Sequence, residues 1–308
     1  MPARLFLSSG DLVADRRFEF ARDLQLKGDL VAAVDLLEQA VELAPNFASA
    51  WFTLGKIRER IGQRDRAIAA FRQAVGTDAQ DRHGAGLHLM RLGAEPLAAM
   101  PQAYVRVLFD QYAPRFETAL VDDLGSRGPA LLFRAMLSVR AAAHKPPFFK
   151  CAIDLGCGTG LAAAAFAGEV DRFVGIDLSP RMIERARATG LYAELEVAEM
   201  AEGLRGRPDA SADLILAADA LVYVSDLVPV LCEVERVLVR GGLLAFTVET
   251  HGGGGVILGE GLRYAHSAAC VRAAIEAAGL RLSQCEDLSA RNEDNVPVPG
   301  LVVVATKP

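Results

Sequence analysis

A glycine-rich segment at residues 154–160 holds the densest set of residues that could do chemistry. It is Asp154-Leu-Gly-Cys-Gly-Thr-Gly160, and it lies between an apolar run and an alanine-rich stretch with a helical pattern. The glycines at 156, 158 and 160 expose backbone N–H groups with no Cβ in the way. Such a loop contacts a ligand at the carboxyl end of a strand, where ligands of open α/β sheets bind.

The glycine spacing separates the ligand classes that use such loops. A dinucleotide fingerprint needs G-x-G-x-x-G, and counted from Gly156 its third glycine falls on Leu161. A P-loop needs a Lys-Ser/Thr pair, and none follows here. Asp154 would repel a pyrophosphate, whereas it would attract a ligand that carries an ammonium and a sulfonium. The spacing and the acid therefore favour a cationic ligand.

Two more acidic residues follow the next two predicted strands. Asp177 ends the second strand, where a carboxylate can accept both hydroxyls of a ribose. The alternative is an N-cap of the next helix, for which Ser179 is better placed. Glu199 ends the third strand, where it would accept from an adenine amino group with Met200 beside the ring. The alternative for Glu199 is a solvated surface acid.

From residue 148 onward, apolar runs typical of strands alternate with helical patterns. The predicted strands cover residues 150–155, 172–177, 194–197, 213–217, 243–248, 280–284 and 301–305. This alternation predicts a parallel sheet with both faces covered, whereas the last two strands, which have no helix between them, pair antiparallel. We therefore predict an α/β fold with a Rossmann-like seven-stranded sheet and one antiparallel edge strand.

The N-terminal third contains an internal repeat with a 34-residue offset, since Gly28, Ala33 and Ala40 recur as Gly62, Ala67 and Ala74. Each unit has two helical patterns around a turn, and Trp51-x-x-Leu-Gly resembles the tetratricopeptide-repeat pattern. We predict an all-α domain over residues 1–95, with repeats at about 14–47 and 48–81 and a capping helix. We expect residues 96–147 to form a linker and helices that cover the predicted ligand site, and residues 148–308 to form the α/β domain.

The motifs DLGCGTG, GIDLS and VAEM, with residues 213–226 and 238–246, resemble the ordered motifs of class I S-adenosylmethionine-dependent methyltransferases. The match spans about residues 104–308 and is similar to the small-molecule branch, more narrowly to bacterial members that carry tetratricopeptide repeats. It implies S-adenosyl-L-methionine as the cofactor. The implied cofactor contacts are Asp154, Gly156, Cys157, Gly158, Gly160, Asp177, Leu178, Glu199, Met200 and Ala218.

The resemblance extends to residues 108–116, which are similar to the F-D-x-Y-A-x-x-F segment that folds over the cofactor in this group. Phe109, Tyr112 and Phe116 fall on one face of a helix. For the two phenylalanines we predict helix packing. For Tyr112 we predict contact with the cofactor, because its hydroxyl suits a polar cleft.

Methyl transfer from a sulfonium needs alignment more than acid catalysis, because the thioether leaves without a proton. A base helps only where the acceptor must lose a proton. The candidates lie after strands four and five and before the predicted helix at 267–278. We predict Tyr223 and His251 as the catalytic pair, with Asp219 and Tyr264 as further candidates. The alternative for His251 is a polar residue at the tip of a lid. His266 is a candidate base or the cap of the next helix. Residues 252–255 are four glycines and predict the hinge of a lid.

The composition excludes several partners. A net charge of −6 gives no basic face for nucleic acid or an anionic membrane. Five cysteines with no C-x-x-C pair predict reduced thiols of a cytoplasmic protein, with neither a disulfide frame nor a metal site. No apolar run reaches the roughly eighteen residues that a membrane span needs, and the first residues lack a secretory apolar core.

Three functions remain open at this point. The first is methyl transfer to a small-molecule acceptor, with the repeats as a lid, a homodimer face or a docking surface. The second is a protein methyltransferase whose repeats recruit a polypeptide. The third is an interaction module that senses the cofactor, which the complete glycine loop and Asp177 disfavour.

Overall fold

The computed structural model describes residues 5–115, 127–293 and 296–308. The chain divides into two compact units, Met1–Val107 and Leu108–Pro308. Each unit has its own apolar core, as folding domains do. The boundary falls inside the segment 96–147 that the sequence predicts as a linker with covering helices.

The first unit is all-helical. Its helices are α1 (Leu12–Lys27), α2 (Leu30–Leu43), α3 (Ala48–Arg60), α4 (Arg64–Thr77) and α5 (Ala85–Arg91), while α6 (Gln102–Tyr112) crosses the boundary. Helices α1 and α2 form one hairpin, and α3 and α4 form the next. Gly28 and Gly62 turn the two hairpins with φ of +85° and +79°, a conformation that favours glycine. The predicted pair of helical repeats is confirmed.

Small residues let the helices of each hairpin approach closely. Ala21 and Ala33 are completely buried in the first hairpin. In the second, a Cβ added at Gly55 would lie 2.7 Å from the ring of Phe71, so a side chain there would push α3 away from α4. The small residues at repeating positions are therefore explained by packing.

The second unit is built on a sheet with the strand order β3-β2-β1-β4-β5-β11-β8. These strands are β1 (Phe149–Leu155), β2 (Val170–Asp177), β3 (Tyr192–Val197), β4 (Ala212–Ala217), β5 (Leu238–Glu249), β8 (Arg281–Asp287) and β11 (Gly300–Thr306). Strands β1 to β5 are parallel, and β11 is antiparallel to both β5 and β8. The predicted seven-stranded sheet with antiparallel pairing at its edge is confirmed. Short strands that the sequence analysis did not predict are β6 (Val256–Leu258), β7 (Tyr264–His266), β9 (Asn292–Glu293) and β10 (Val296–Pro297).

Helices cover both faces of this sheet. They are α7 (Gly128–Ala142), α8 (Leu161–Phe166), α9 (Pro180–Thr189), α10 (Met200–Arg205), α11 (Val228–Val237) and α12 (Ala268–Ala277). Neighbouring residues of β1 enter opposite cores: Ile153 packs on the face of α11 and α12, and Ala152 packs on the face of α7 and α8. The carboxyl ends of β1 to β5 therefore meet at one edge, which positions the site.

In the part of the chain that the structure describes, no helix is both long and apolar enough to cross a membrane.

Candidate functional site

The glycine loop connects β1 to α8 in a conformation that requires its glycines. Gly156, Gly158 and Gly160 have φ of +66°, +54° and +98°. A Cβ added at Gly156 would lie 2.6 Å from the Cβ of Ala220, beyond the end of β4. A side chain at this position would force the loop and the end of β4 apart.

Asp177, the last residue of β2, ties this loop to the neighbouring strand. One carboxylate oxygen accepts from the Gly158 N–H at 2.9 Å, and the other accepts from the Ser179 N–H at 2.8 Å. Burial raises the pKa of Asp177 to about 6, although both hydrogen bonds favour the charged form. Ser179 caps α9 by accepting from the Met182 N–H, so the cap falls where the sequence placed it and not on Asp177.

Asp154 lies beneath the loop and is almost completely buried. The Tyr192 hydroxyl donates to its Oδ2 at 2.6 Å, a contact that the sequence analysis missed. Burial raises the pKa of Asp154 to about 7, with Asp177 adding to the rise and the Tyr192 hydrogen bond opposing it. Burial likewise raises the pKa of the Cys157 thiol, so its sulfur stays neutral.

The residues after β3 lie beside Asp177, because β3 pairs with β2. The Glu199 side chain caps α10 by accepting from the Glu202 N–H at 3.1 Å. Met200 is half-buried against the core, and Leu178 and Ala218 are half-buried at the ends of β2 and β4. Glu199 thus has a structural role at the position predicted for adenine recognition, and one of its oxygens makes this cap.

The end of α6 lies against the N-terminus of α9. The Ser179 hydroxyl donates to the Asp110 carboxylate at 2.5 Å, and Arg185 donates to the Pro114 carbonyl at 3.0 Å. These contacts hold Tyr112, which is half-buried, near the end of β2. Residues 108–116, which the sequence analysis predicts to fold over the cofactor, should approach this end of β2. Phe116 lies outside the described residues.

Tyr223 follows β4 and lies at the same carboxyl edge of the sheet. Its ring packs edge-on against Phe109, with centroids 5.2 Å apart, which is the packing role predicted for Phe109. The Arg263 guanidinium lies close enough to the Tyr223 hydroxyl to interact with it electrostatically. Burial raises the pKa of Tyr223, an effect that Arg263 opposes. The Tyr223 hydroxyl is therefore neutral and has a cation beside it.

An ion-pair cluster at the end of β5 acts electrostatically on this hydroxyl. Glu249, the last residue of β5, accepts from Arg263 Nε at 2.8 Å and also from Arg291. Arg263 further pairs with Glu293 at 3.2 Å. The sequence analysis did not single out Arg263 or Arg291 as site residues, because nothing in the linear order links residues 249, 263 and 291. Their meeting requires β7 beside β5.

Both ring nitrogens of His251 are bonded within the glycine loop that follows it. Nδ1 accepts from the Gly253 N–H at 3.2 Å, and Nε2 donates to the Gly255 carbonyl at 3.2 Å. In this arrangement the ring has no lone pair left for a proton, and a base role for His251 stays a prediction. His266 is completely buried and does not cap α12; Ser267 does, because its hydroxyl accepts from the Cys270 N–H.

Both parts of the chain match known families. Residues 153–246 match the family of methyltransferase domains, and residues 24–89 match the tetratricopeptide repeat family. The chain carries a methyltransferase domain behind tetratricopeptide repeats.

Two curated relatives of the methyltransferase domain show how far the likeness extends. Methyltransferase-like protein 27 of Homo sapiens is 31% identical over 147 residues, which cover 46% of this chain and 57% of that protein. Demethylmenaquinone methyltransferase of Tropheryma whipplei is 34% identical over 99 residues, which cover 32% of this chain and 41% of that protein. The chain thus spans about half the length of the curated relatives it matches.

A solved structure carries the same fold. A SAM-dependent methyltransferase from Leishmania major superposes with a TM-score of 0.55 at 14% identity, covering 70% of this chain and 89% of that one. The methyltransferase domain therefore has the fold of S-adenosylmethionine-dependent enzymes.

The residues of the methyltransferase domain fit such a cofactor. The Thr159 hydroxyl of the glycine loop is buried and has no hydrogen-bond partner in the structure. Buried polar groups are normally paired, so this orphaned atom indicates a ligand or water against the loop. Asp154 and Asp177 supply negative charge next to it, which suits a ligand with an ammonium and a sulfonium. Among the described residues, no group of His, Cys, Asp and Glu could hold a metal ion.

Proposed function

We propose that the chain transfers a methyl group from S-adenosyl-L-methionine to a small-molecule acceptor by in-line displacement. The observation that carries this proposal is the pair of hydrogen bonds from Gly158 and Ser179 to Asp177. They fix one carboxylate between the glycine loop and the end of β2, where each oxygen keeps a second lone pair for a ribose hydroxyl. The family match of residues 153–246 supports the same conclusion.

Each cofactor-side residue has a defined task in this proposal. The glycine loop, residues 156–160, brings its backbone close to the cofactor, while the N–H groups of Gly156, Gly158 and Gly160 donate within the protein and shape the loop. Asp177 accepts the ribose hydroxyls. Leu178, Met200 and Ala218 provide half-buried apolar surface for the adenine and the ribose. Glu199 accepts a hydrogen bond from the adenine amino group through the carboxylate lone pairs that are not used to cap α10. Tyr112 covers the cofactor from the end of α6.

The bound cofactor supplies an activated methyl group on a positively charged sulfur. In such a transfer the acceptor's lone pair would bond to the methyl carbon as the carbon–sulfur bond breaks towards sulfur, so the chain would not need to donate a proton to the leaving thioether. The chain contributes alignment, with the reacting atoms about 3 Å apart, and alignment alone supplies several kcal/mol. Tyr223 orients the acceptor through its hydroxyl, which stays neutral beside the Arg263 guanidinium.

The repeats favour a second role for the first unit. A groove of about 400 Å³ lies on this unit and is lined by Glu38, Trp51, Arg58, Gln73 and neighbouring residues. Mixed charges beside an indole suit a polypeptide or a second copy of the chain, so recruitment of a protein substrate is the alternative function. We also propose a cytoplasmic location, since all five cysteines are free thiols.

A screen with a methyl-labelled cofactor tests the proposal. The full chain is incubated with labelled S-adenosylmethionine and acceptor sets that carry oxygen, nitrogen, carbon or sulfur nucleophiles, and in parallel with a peptide library. We expect label in a small molecule. Label only in peptides would favour the alternative, and cofactor binding without any transfer would favour a sensor.

A further inference from the structure

The guanidinium of Arg291 has a buried nitrogen for which the protein supplies no hydrogen-bond acceptor. The residue is 7% exposed, and its Nη2 pairs with Glu249. Its Nη1 is buried and has no hydrogen-bond partner in the structure. Such an atom requires an explanation, because buried donors of charged groups are almost always paired.

Arg291 differs from the other arginines with an orphaned atom. Across the described residues, Arg58 and Arg207 lack a partner only at Nε, which carries a single N–H. Nη1 carries two N–H groups at the end of the fork, the part of the guanidinium that binds carboxylates and phosphates. The terminal position of the orphaned atom therefore indicates an anion.

A second guanidinium, that of Arg263, connects Arg291 with Tyr223 at the predicted acceptor site. Arg263 shares Glu249 with Arg291, and it interacts electrostatically with the Tyr223 hydroxyl. Tyr223 follows β4 and Glu249 ends β5, so the cluster lies at the carboxyl edge where ligands bind. Phe109 packs edge-on against the Tyr223 ring and adds an aromatic surface.

Among the described residues the cluster holds two guanidiniums and two carboxylates of unequal exposure. Arg263 and Arg291 both pair with Glu249, which is only 16% exposed. The second acid, Glu293, lies 3.2 Å from Arg263 and 3.8 Å from Arg291, but it is 49% exposed, so solvent screens its charge. The less exposed part of the cluster therefore has more positive than negative charge. A small excess of this kind matches a carboxylate better than a phosphate monoester, which carries more than one negative charge.

We propose that the acceptor carries a carboxylate, which Arg291 Nη1 binds beside the Tyr223–Arg263 pair. This proposal rests on the proposed methyl transfer and names its substrate class. The carboxylate binds and positions the acceptor and is not the group that is methylated, because lone pairs that accept hydrogen bonds from a guanidinium are poor nucleophiles. The nucleophile therefore lies elsewhere in the acceptor, nearer the glycine loop.

Benzoate and benzamide form a matched pair of probes, since they share an aromatic ring and differ in charge. The full chain is saturated with S-adenosylhomocysteine, and thermal unfolding is followed against each probe at constant ionic strength. We expect benzoate to raise the Tm and benzamide to leave it unchanged. Equal behaviour of the two probes in the native chain would overturn the proposal, and so would a benzoate shift retained in Arg291→Gln.

Two further variants keep the result interpretable. Arg172→Gln is the control, because Arg172 is exposed and makes a simple ion pair with Glu194 at 3.2 Å; the benzoate shift should persist there. If Arg291→Gln does not fold, Arg291→Lys keeps the charge without the fork and should bind benzoate about tenfold more weakly. Failure of S-adenosylhomocysteine to bind the native chain would instead refute the methyl-transfer function, so the two failures are distinguishable.

Discussion

The Asp177 carboxylate accepts the Gly158 N–H at 2.9 Å, so the last residue of β2 holds the loop that follows β1. The same side chain fixes the N–H of Ser179, the cap of α9. One carboxylate thus sets the relative positions of the glycine loop and the next helix. Any ligand of the loop meets a site that is organised before it binds.

Replacing Asp177 should weaken cofactor binding strongly. Asp177→Ala removes the ribose acceptors and frees the Gly158 N–H, and hydrogen bonds to a charged group contribute about 1.5–3 kcal/mol each. We expect at least about tenfold weaker binding of S-adenosylhomocysteine by calorimetry. Asp171→Ala, on the exposed part of the same strand, is the control. Unchanged affinity in Asp177→Ala would refute the ribose assignment.

The buried acids should make both stability and binding depend on pH. Because the pKa values of Asp154 and Asp177 in the folded chain are raised to about 7 and about 6, the folded state holds more protons than the unfolded state between about pH 4 and 7. The free energy of unfolding without ligand should therefore fall as the pH rises through this window. Affinity for the cationic cofactor should rise in the same window, because the carboxylates become charged.

Tyr192→Phe tests the source of this dependence. The Tyr192 hydrogen bond opposes the rise in the Asp154 pKa, so its loss should move the affinity profile to higher pH. Calorimetric titrations of S-adenosylmethionine from pH 5.5 to 8 give the profile. A profile that Tyr192→Phe leaves in place would contradict the role of Asp154 in binding.

Gly156→Ala should disrupt the loop. The added Cβ would meet the Cβ of Ala220 at 2.6 Å, and a φ of +66° is unfavourable for alanine. We expect a loss of about 1–3 kcal/mol in the free energy of unfolding and loss of cofactor binding. Gly168→Ala is the matched control, since a Cβ there meets nothing within 4 Å. Denaturant titration of both variants separates local strain from a general effect of alanine.

The two predicted catalytic residues should differ in effect. Tyr223→Phe removes the hydroxyl that we propose orients the acceptor beside Arg263, so turnover should fall by about tenfold or more while cofactor affinity changes within about twofold. His251→Ala should cost less than about tenfold, because both ring nitrogens are bonded within residues 251–255. A hundredfold loss in His251→Ala, with a shifted pH–rate profile, would show instead that the loop rearranges and His251 is the base.

The sheet could be predicted because strand–helix alternation, apolar runs and the glycine spacing are all local features. Asp177 and Gly156 were found for the same reason. Tyr192 under Asp154 could not be found this way, because it lies 38 residues further along the chain and meets Asp154 only through strand pairing. The cluster of Arg263 and Arg291 depends similarly on β7 and on the connection after β8, which have no sequence signature.

Calorimetric titration of the full chain with S-adenosylhomocysteine tests the central claim most directly. We expect one site with roughly micromolar affinity, about −8 kcal/mol, at pH 7.5. Absence of binding at millimolar ligand, in a chain shown to be folded by circular dichroism, would contradict the claim.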